Sequence, residues 1–253
     1  MKTVYGPVPS WRLGRSLGID LICKEKTCSF DCVYCQLGKT INKTKNRGLF
    51  VDAKRVEEDL REVIDEVEAD VITFSGLGEP TLAKNLGEVV DVIRNLSQLP
   101  IAVLTNSSLM HLEEVRKQLA KVDIVVAKLD APNDKIFRIV NRPAAGIPLD
   151  IIVSGIKSFR AEFKKKLALQ MMFVRENKNY AADMAELAET LKPDEVQIDT
   201  PLRPCAAKPL NSSELLGIEK NFKKFNAISA YKKRKPEVQI LDIPETRKRR
   251  PEL

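Results

Sequence analysis

A chain of 253 residues with 43% hydrophobic content is long enough to bury the core of one large domain. No apolar run of about 18 residues occurs, which excludes a transmembrane helix, and Met1 to Pro7 lacks the apolar stretch of a signal peptide. The expected location is therefore the cytoplasm, where the five cysteines read as metal ligands or free thiols before disulfides; the net charge of +7 suits acidic partners, nucleic acid among them, or a generic basic surface.

Apolar runs and helical periodicities alternate along the chain. Residues 17–22 predict a first strand, followed by a loop holding three cysteines. Val56, Leu60, Val63, Ile64 and Val67 share one helical face. Residues 70–74 predict a second strand, and Leu86, Val89, Val90, Ile93 and Leu96 a second helix. A third strand is expected at 101–105, with a short helix at Val115 and Leu119. Residues 123–130 predict a fourth strand; Ile152, Ile156, Phe159 and Phe163 mark a long helix. A fifth strand at 167–174, a helix through Met184, Leu187, Ala188 and Leu191, and a sixth strand at 195–199 follow. The strands are nearly continuous apolar runs, as in parallel strands covered on both faces. Alternation of this kind implies right-handed βαβ units. Six units, against the eight of a closed barrel, predict a partial, open (β/α)6 TIM-like barrel over residues 1–204.

Residues 205–253 read differently, as a C-terminal helical and basic extension. A proline-rich connector from Leu202 to Pro209 leads to one amphipathic helix marked by Leu215, Ile218, Phe222 and Phe225. The tail carries Lys232-Lys233-Arg234-Lys235 and Arg247-Lys248-Arg249-Arg250. Such clusters contact phosphates or form a solvated, frayed terminus. Arg12 and Arg15, just before the first strand, have the fork geometry for an anion, with surface ion pairing as the plainer role.

The central motif is Cys28-Ser29-Phe30-Asp31-Cys32-Val33-Tyr34-Cys35. Three thiolates on one short loop reach one metal centre. A structural zinc site or an electron-transfer cluster takes four protein ligands. Three leave one iron of a 4Fe–4S cluster open, and an open position is where chemistry occurs. The other readings of this loop are a zinc site completed by Cys23 and unliganded core cysteines. Cys205 is by default a buried thiol, and His111 a surface residue at a helix start.

This loop resembles that of the radical S-adenosylmethionine (SAM) superfamily, whose motif is C-x3-C-x-aromatic-C. The resemblance implies that Cys28, Cys32 and Cys35 hold the cluster and that SAM chelates the open iron. It implies that one electron from the reduced cluster yields methionine and a 5′-deoxyadenosyl radical that takes hydrogen from a substrate. Tyr34 stands at the aromatic position, near the adenine of SAM in the family. Ser75-Gly76-Leu77-Gly78-Glu79-Pro80 resembles the family's Gly-Gly-Glu-Pro motif, with Leu77 in place of the first glycine. Gly76, Gly78, Glu79 and Pro80 are thereby assigned to the SAM amino group. Asn106, Lys128 and Asp130, at strand ends, are assigned to SAM, and Gln170, Gln197, Asp199 and Asn141 line the expected mouth. A flavodoxin- or ferredoxin-like electron donor is implied as a partner.

Tyr5-Gly6-Pro7-Val8-Pro9-Ser10, Leu13 to Gly18, Gly78-Glu79-Pro80-Thr81, Asp130-Ala131-Pro132, Asn141-Arg142-Pro143 and Thr200 to Pro204 extend the resemblance. Over residues 5 to about 210 they look like Fe–S oxidoreductases related to wyosine-base synthases, which act on guanosine in tRNA. Tricyclic wyosine synthases carry a second cysteine-bound cluster, and Cys23 and Cys205 are too few to build one. Three functions are therefore open: modification of a nucleic acid such as tRNA, action on a protein side chain or small metabolite, and a non-catalytic iron–sulfur module.

Overall fold

The computed structural model describes residues 1–252. The six expected strands form as β2 (Gly14–Ile19), β5 (Val71–Phe74), β6 (Ile101–Thr105), β7 (Ile124–Lys128), β8 (Lys166–Met172) and β9 (Glu195–Asp199). They lie side by side in that order, all parallel. Their interiors, Leu17, Ile72, Val103, Val125, Leu169 and Val196 among them, are fully buried. The sheet curls into a half-barrel and stays open, as the strand count predicts.

Two edge strands escape the sequence. β1 (Val4–Ser10) pairs antiparallel with β2, from Val4 opposite Ile19 to Ser10 opposite Gly14. Pro7 and Pro9 hide it, since proline lacks a ladder donor; an edge strand tolerates that, and the register shifts between Tyr5 and Val8. At the other edge β10 (Ala227–Ser229) pairs parallel with β9. The C-terminal extension is thus threaded into the same sheet.

A short parallel bridge, β3 (Thr27–Cys28) with β4 (Asn42–Lys43), brackets the cysteine loop. Helices α1 (Ala53–Arg61), α2 (Leu86–Leu96), α3 (Glu113–Leu119), α4 (Asp134–Val140), α5 (Leu149–Glu162) and α6 (Ala181–Leu191) follow in chain order. α1 stops short of the expected Val67, which with Val63 and Ile64 packs half-buried beyond the helix end. Glu62, Asp65, Glu66 and Glu68 put negative charge where a helix end is already negative. α4 has only two turns and no long periodicity to announce it. Its cap is Asn133, whose side chain accepts from Ile136 N at 3.1 Å. α7 (Ser212–Glu219) covers the first half of the expected amphipathic helix, and a single tighter turn, residues 220–222, completes it. α8 (Ile243–Arg249) crosses to β1, where Gly6 N donates to Thr246 Oγ1 at 3.0 Å.

Candidate active site

The cysteine loop lies at the carboxyl ends of the strands, held by backbone on two sides. On one side β3 docks against the turn after β5. Thr27 N donates to Leu77 O at 3.0 Å and Glu79 N donates to Thr27 O at 3.2 Å. A Cβ on Gly78 would lie 1.7 Å from Thr27 O, so only glycine permits this approach. On the other side the loop rests on the end of α4. Asp31 N donates to Asn141 O at 3.0 Å and Val33 N to Val140 O at 2.9 Å, while Phe30 meets Phe137 edge-on at 5.3 Å. The missed helix α4 is therefore the bed of the motif.

Glu79 joins the two loops from beneath. It is 2% exposed. Its Oε1 accepts from Thr81 N (3.0 Å), Thr81 Oγ1 (2.7 Å) and Thr105 Oγ1 (2.7 Å), and its Oε2 accepts from Asn106 N (2.6 Å). Burial raises its carboxyl above the ordinary value, opposed by these four donors. Pro80 opens the turn that supplies Thr81. Asn106 in turn donates to Ser29 Oγ at 2.8 Å and to Cys28 Sγ at 3.5 Å. Leu77 does not need to be glycine: its side chain enters the core, and Leu77 N donates to Asp20 Oδ2 at 3.2 Å. Gly76 faces the Asp20 carboxyl, 2.2 Å from where a Cβ would sit.

Behind Cys32 lies a second hub. The Tyr34 hydroxyl donates to Asp130 Oδ2. Asn141 Nδ2 reaches Asp130 Oδ2 (2.7 Å), Tyr34 Oη (3.1 Å) and Cys32 Sγ (3.5 Å). Asp130 Oδ1 accepts from Met172 N at 2.8 Å, and Lys128 Nζ lies 3.6 Å away. Lys128 also stands over the Tyr34 ring, 4.9 Å from its centre. Burial, then the Asp130 charge, holds the Tyr34 hydroxyl protonated far above its usual range. Of the residues assigned from sequence to SAM, Tyr34 and Lys128 therefore face the cavity beyond. Gly76, Gly78, Glu79, Pro80, Asn106 and Asp130 do not line that cavity, and the side chains of Glu79, Asn106 and Asp130 hydrogen-bond within the protein to fix the loops.

Burial pushes the Cys28 thiol up, with the Glu79 charge and the Cys32 and Cys35 sulfurs adding to it; burial likewise lifts Cys32 to about 11. Free, these thiols are protonated at neutral pH. Among the described residues no three His, Cys, Asp or Glu side chains converge on a single metal ion. A 4Fe–4S cluster does not ask for that convergence, since each thiolate meets a different iron. The N–H groups of Phe30, Asn106 and Asn141 at 3.5 Å from the sulfurs are the outer-shell donors a cluster uses. Asn141 Oδ1, buried beside Cys32, has no partner of its own and is an acceptor left for a ligand. The residues thus fit a three-cysteine cluster. Cys23 does not complete a zinc site: its thiol donates to Asp20 O at 3.0 Å and lies 3.6 Å from Arg249 Nη2. Cys205 donates to Ala207 O at 3.1 Å, and His111 is exposed with its ring against Ser108 O.

Inside the curl is a cavity of about 290 Å³, near the lower end of the usual small-molecule range. Tyr34, Cys35, Lys128, Arg12, Gln170 and Asp199 are among the residues that line it. Asp199 Oδ2 accepts from Gln170 Nε2 at 2.7 Å and from Arg12 Nη1 at 3.2 Å. The two early arginines therefore divide: Arg12 enters the cavity, and Arg15 pairs with Asp70 at 2.9 Å on the surface.

The sequence matches the Radical SAM superfamily over residues 26–188. The UPF0026 protein slr1464 of Synechocystis is 44% identical over 208 residues, which cover 82% of this chain and 77% of that protein. Among solved structures, Streptococcus suis SuiB bound to its precursor peptide SuiA superposes with a TM-score of 0.67 at 16% identity. That match covers 86% of this chain and 49% of SuiB, which has also been solved with S-adenosylmethionine. TYW1, solved with a lysine–pyruvate adduct bound, gives 0.59 at 16% identity, covering 83% of this chain and 73% of that one. At such identities these structures show the fold alone. The family match falls on the cysteine loop, its Gly78–Glu79 dock and the strands that carry both, and with it the chain belongs to the radical SAM superfamily, among the UPF0026 proteins.

Proposed function

We propose that this radical SAM enzyme takes hydrogen from a nucleic-acid substrate, a tRNA base in the first instance. The observation that carries the reading is that the cysteine loop, through Cys35, borders a cavity also lined by five basic side chains, Arg12, Lys128, Arg203, Lys235 and Arg250. When bound, the cluster and SAM would supply the chemistry, a one-electron reductive cleavage of the sulfonium to methionine and a 5′-deoxyadenosyl radical. Cys28, Cys32 and Cys35 hold the cluster. Phe30 and Asn106 donate to the sulfur of Cys28, and Asn141 to that of Cys32. Tyr34 and Lys128 line the SAM side of the cavity, and Glu79 retains acceptor capacity on Oε2 for an ammonium group. Asn141 Oδ1 accepts from a ligand hydroxyl or amine. A flavodoxin- or ferredoxin-like protein delivers the electron. The net charge of +7 and the likeness to wyosine synthases support RNA over a peptide; the SuiB likeness supports a peptide as the second reading.

RNA binding with steep salt dependence, together with a modified nucleoside missing from total tRNA when the gene is removed, is the expected result. Unchanged tRNA nucleosides and no RNA binding at low salt would overturn the RNA reading.

A further inference from the structure

Five cations line the cavity: Arg12, Lys128, Arg203, Lys235 and Arg250. Three have carboxylate partners. Arg12 pairs with Asp199 at 3.2 Å, Lys128 with Asp130 at 3.6 Å, and Arg203 with Glu252 at 2.5 Å. Arg250 has none among the described residues. Its Nη1 donates to Arg249 O (2.7 Å), its Nη2 to Ser75 Oγ (3.3 Å), and its guanidinium lies over the Tyr5 ring at 5.6 Å. Lys235 likewise has no carboxylate partner there. The Nε groups of Arg12 and Arg250 are buried without a hydrogen-bond partner. Arg203 sits beside the cluster loop, donating to Gln36 Oε1 at 2.9 Å. The arginines also repel one another: Arg250 lowers both Arg12 and Arg203, after burial as the main cause, and Arg203 falls to about 10. The Arg250 guanidinium, half-buried with its Nε unpartnered, is costly until an anion joins it, and Lys235 stands exposed at the edge of the same cavity.

We propose that Arg12, Arg203, Lys235 and Arg250 form a phosphate site, holding the phosphate of the nucleotide whose hydrogen is taken. This rests on the nucleic-acid reading above and adds to it where the phosphate goes. Two unpaired cations match the charge of a phosphate group, and guanidinium forks suit its oxygens. Of the basic run at residues 247–250, Arg250 thus lines the site, while Arg247 and Lys248 stay exposed. The distance from Arg203 through Gln36 to Cys35 is a single side chain, so an anion here would sit close to the reacting end of the cavity.

The test uses anaerobic enzyme with its cluster in place. Equilibrium binding is measured for inorganic phosphate, guanosine 5′-monophosphate and guanosine, with and without saturating SAM. Phosphate and the monophosphate should bind, and guanosine at least about tenfold more weakly. Arg250→Gln and Lys235→Gln should each weaken phosphate about tenfold, while Lys248→Gln, an equal charge change on the exposed face of α8, should not. Lys235→Gln keeps the test open if Arg250→Gln misfolds. Equal phosphate binding by wild type and both variants would overturn the proposal. So would displacement of phosphate by SAM, which would give these arginines to the SAM carboxylate. Formation of 5′-deoxyadenosine is measured in parallel: SAM cleavage without phosphate binding sinks this inference alone, and phosphate binding without SAM cleavage sinks the enzymatic reading alone.

Discussion

Asn141 touches Cys32, Tyr34 and Asp130 with one amide, which makes it the residue most exposed to a test of the cluster environment. Outer-shell partners of metal ligands typically carry 10–100-fold in affinity or activity. Asn141→Ala should therefore lower iron retention after gel filtration, and 5′-deoxyadenosine formation, by about tenfold or more, with the fold intact by circular dichroism. Full retention would show that Asn141 only packs. The buried thiols also fix a pH dependence. Cys32 is raised from 9.0 to about 11, so burial of the protonated thiol stabilises the unloaded fold below pH 9 and ceases to as the pH climbs through 11. Cluster assembly needs the thiolates and releases their protons. Loading should accordingly rise from about pH 6.5 to about pH 8.5, followed by visible absorbance at fixed iron and sulfide. Loading that falls over this range would contradict the burial argument. At this scale the three-cysteine motif was legible in the sequence, because its spacing is local. It could not show that Glu79 and Asp130 are hydrogen-bonded by Thr81, Thr105, Asn106, Tyr34 and Met172, since those contacts depend on segments from four different strands.

The element that positions the cluster loop is the β3 bridge against the turn after β5. Gly78→Ala would place a Cβ 1.7 Å from Thr27 O, a backbone atom that cannot swing aside. The expected cost is at least about 2 kcal/mol of stability with loss of cluster binding, read by chemical denaturation and iron content. A variant that melts and loads like wild type would mean the bridge is dispensable. The strands β2 and β5 to β9 were legible because each is a continuous apolar run buried on both faces. β1 was not, because Pro7 and Pro9 argue against a strand anywhere but an edge. α4 was not, because seven residues carry too few turns for periodicity to stand out. Yet its end supplies Val140 O and Asn141 O to the cysteine loop.

Across the whole molecule the two chain ends meet beneath the site. Arg249 is 0% exposed and donates from Nε to Asp20 Oδ2 at 3.0 Å, from Nη2 to Lys2 O at 2.7 Å, and from Nη1 to Glu245 Oε2 at 2.7 Å. Asp20 also accepts from Ile22 N, Cys23 N and Leu77 N, so the pair ties α8 to β2 and to the turn after β5. In sequence Arg249 is one of four basic residues in a tail, and nothing local marks it as buried; its partner is 229 residues away. Arg249→Met would strand a buried carboxylate and should cost about 3–5 kcal/mol, seen as a lowered denaturant midpoint. Asp20→Asn in the same background should recover part of the loss. A single variant as stable as wild type would show that the tail is not structural.

The central claim is that three cysteines at the mouth of this half-barrel make a radical from SAM. Anaerobic incubation of the cluster-loaded, dithionite-reduced protein with SAM tests it most directly. Wild type should yield 5′-deoxyadenosine and methionine in equal amounts, and Cys32→Ala neither. No 5′-deoxyadenosine from the fully loaded, reduced wild-type protein would contradict the account.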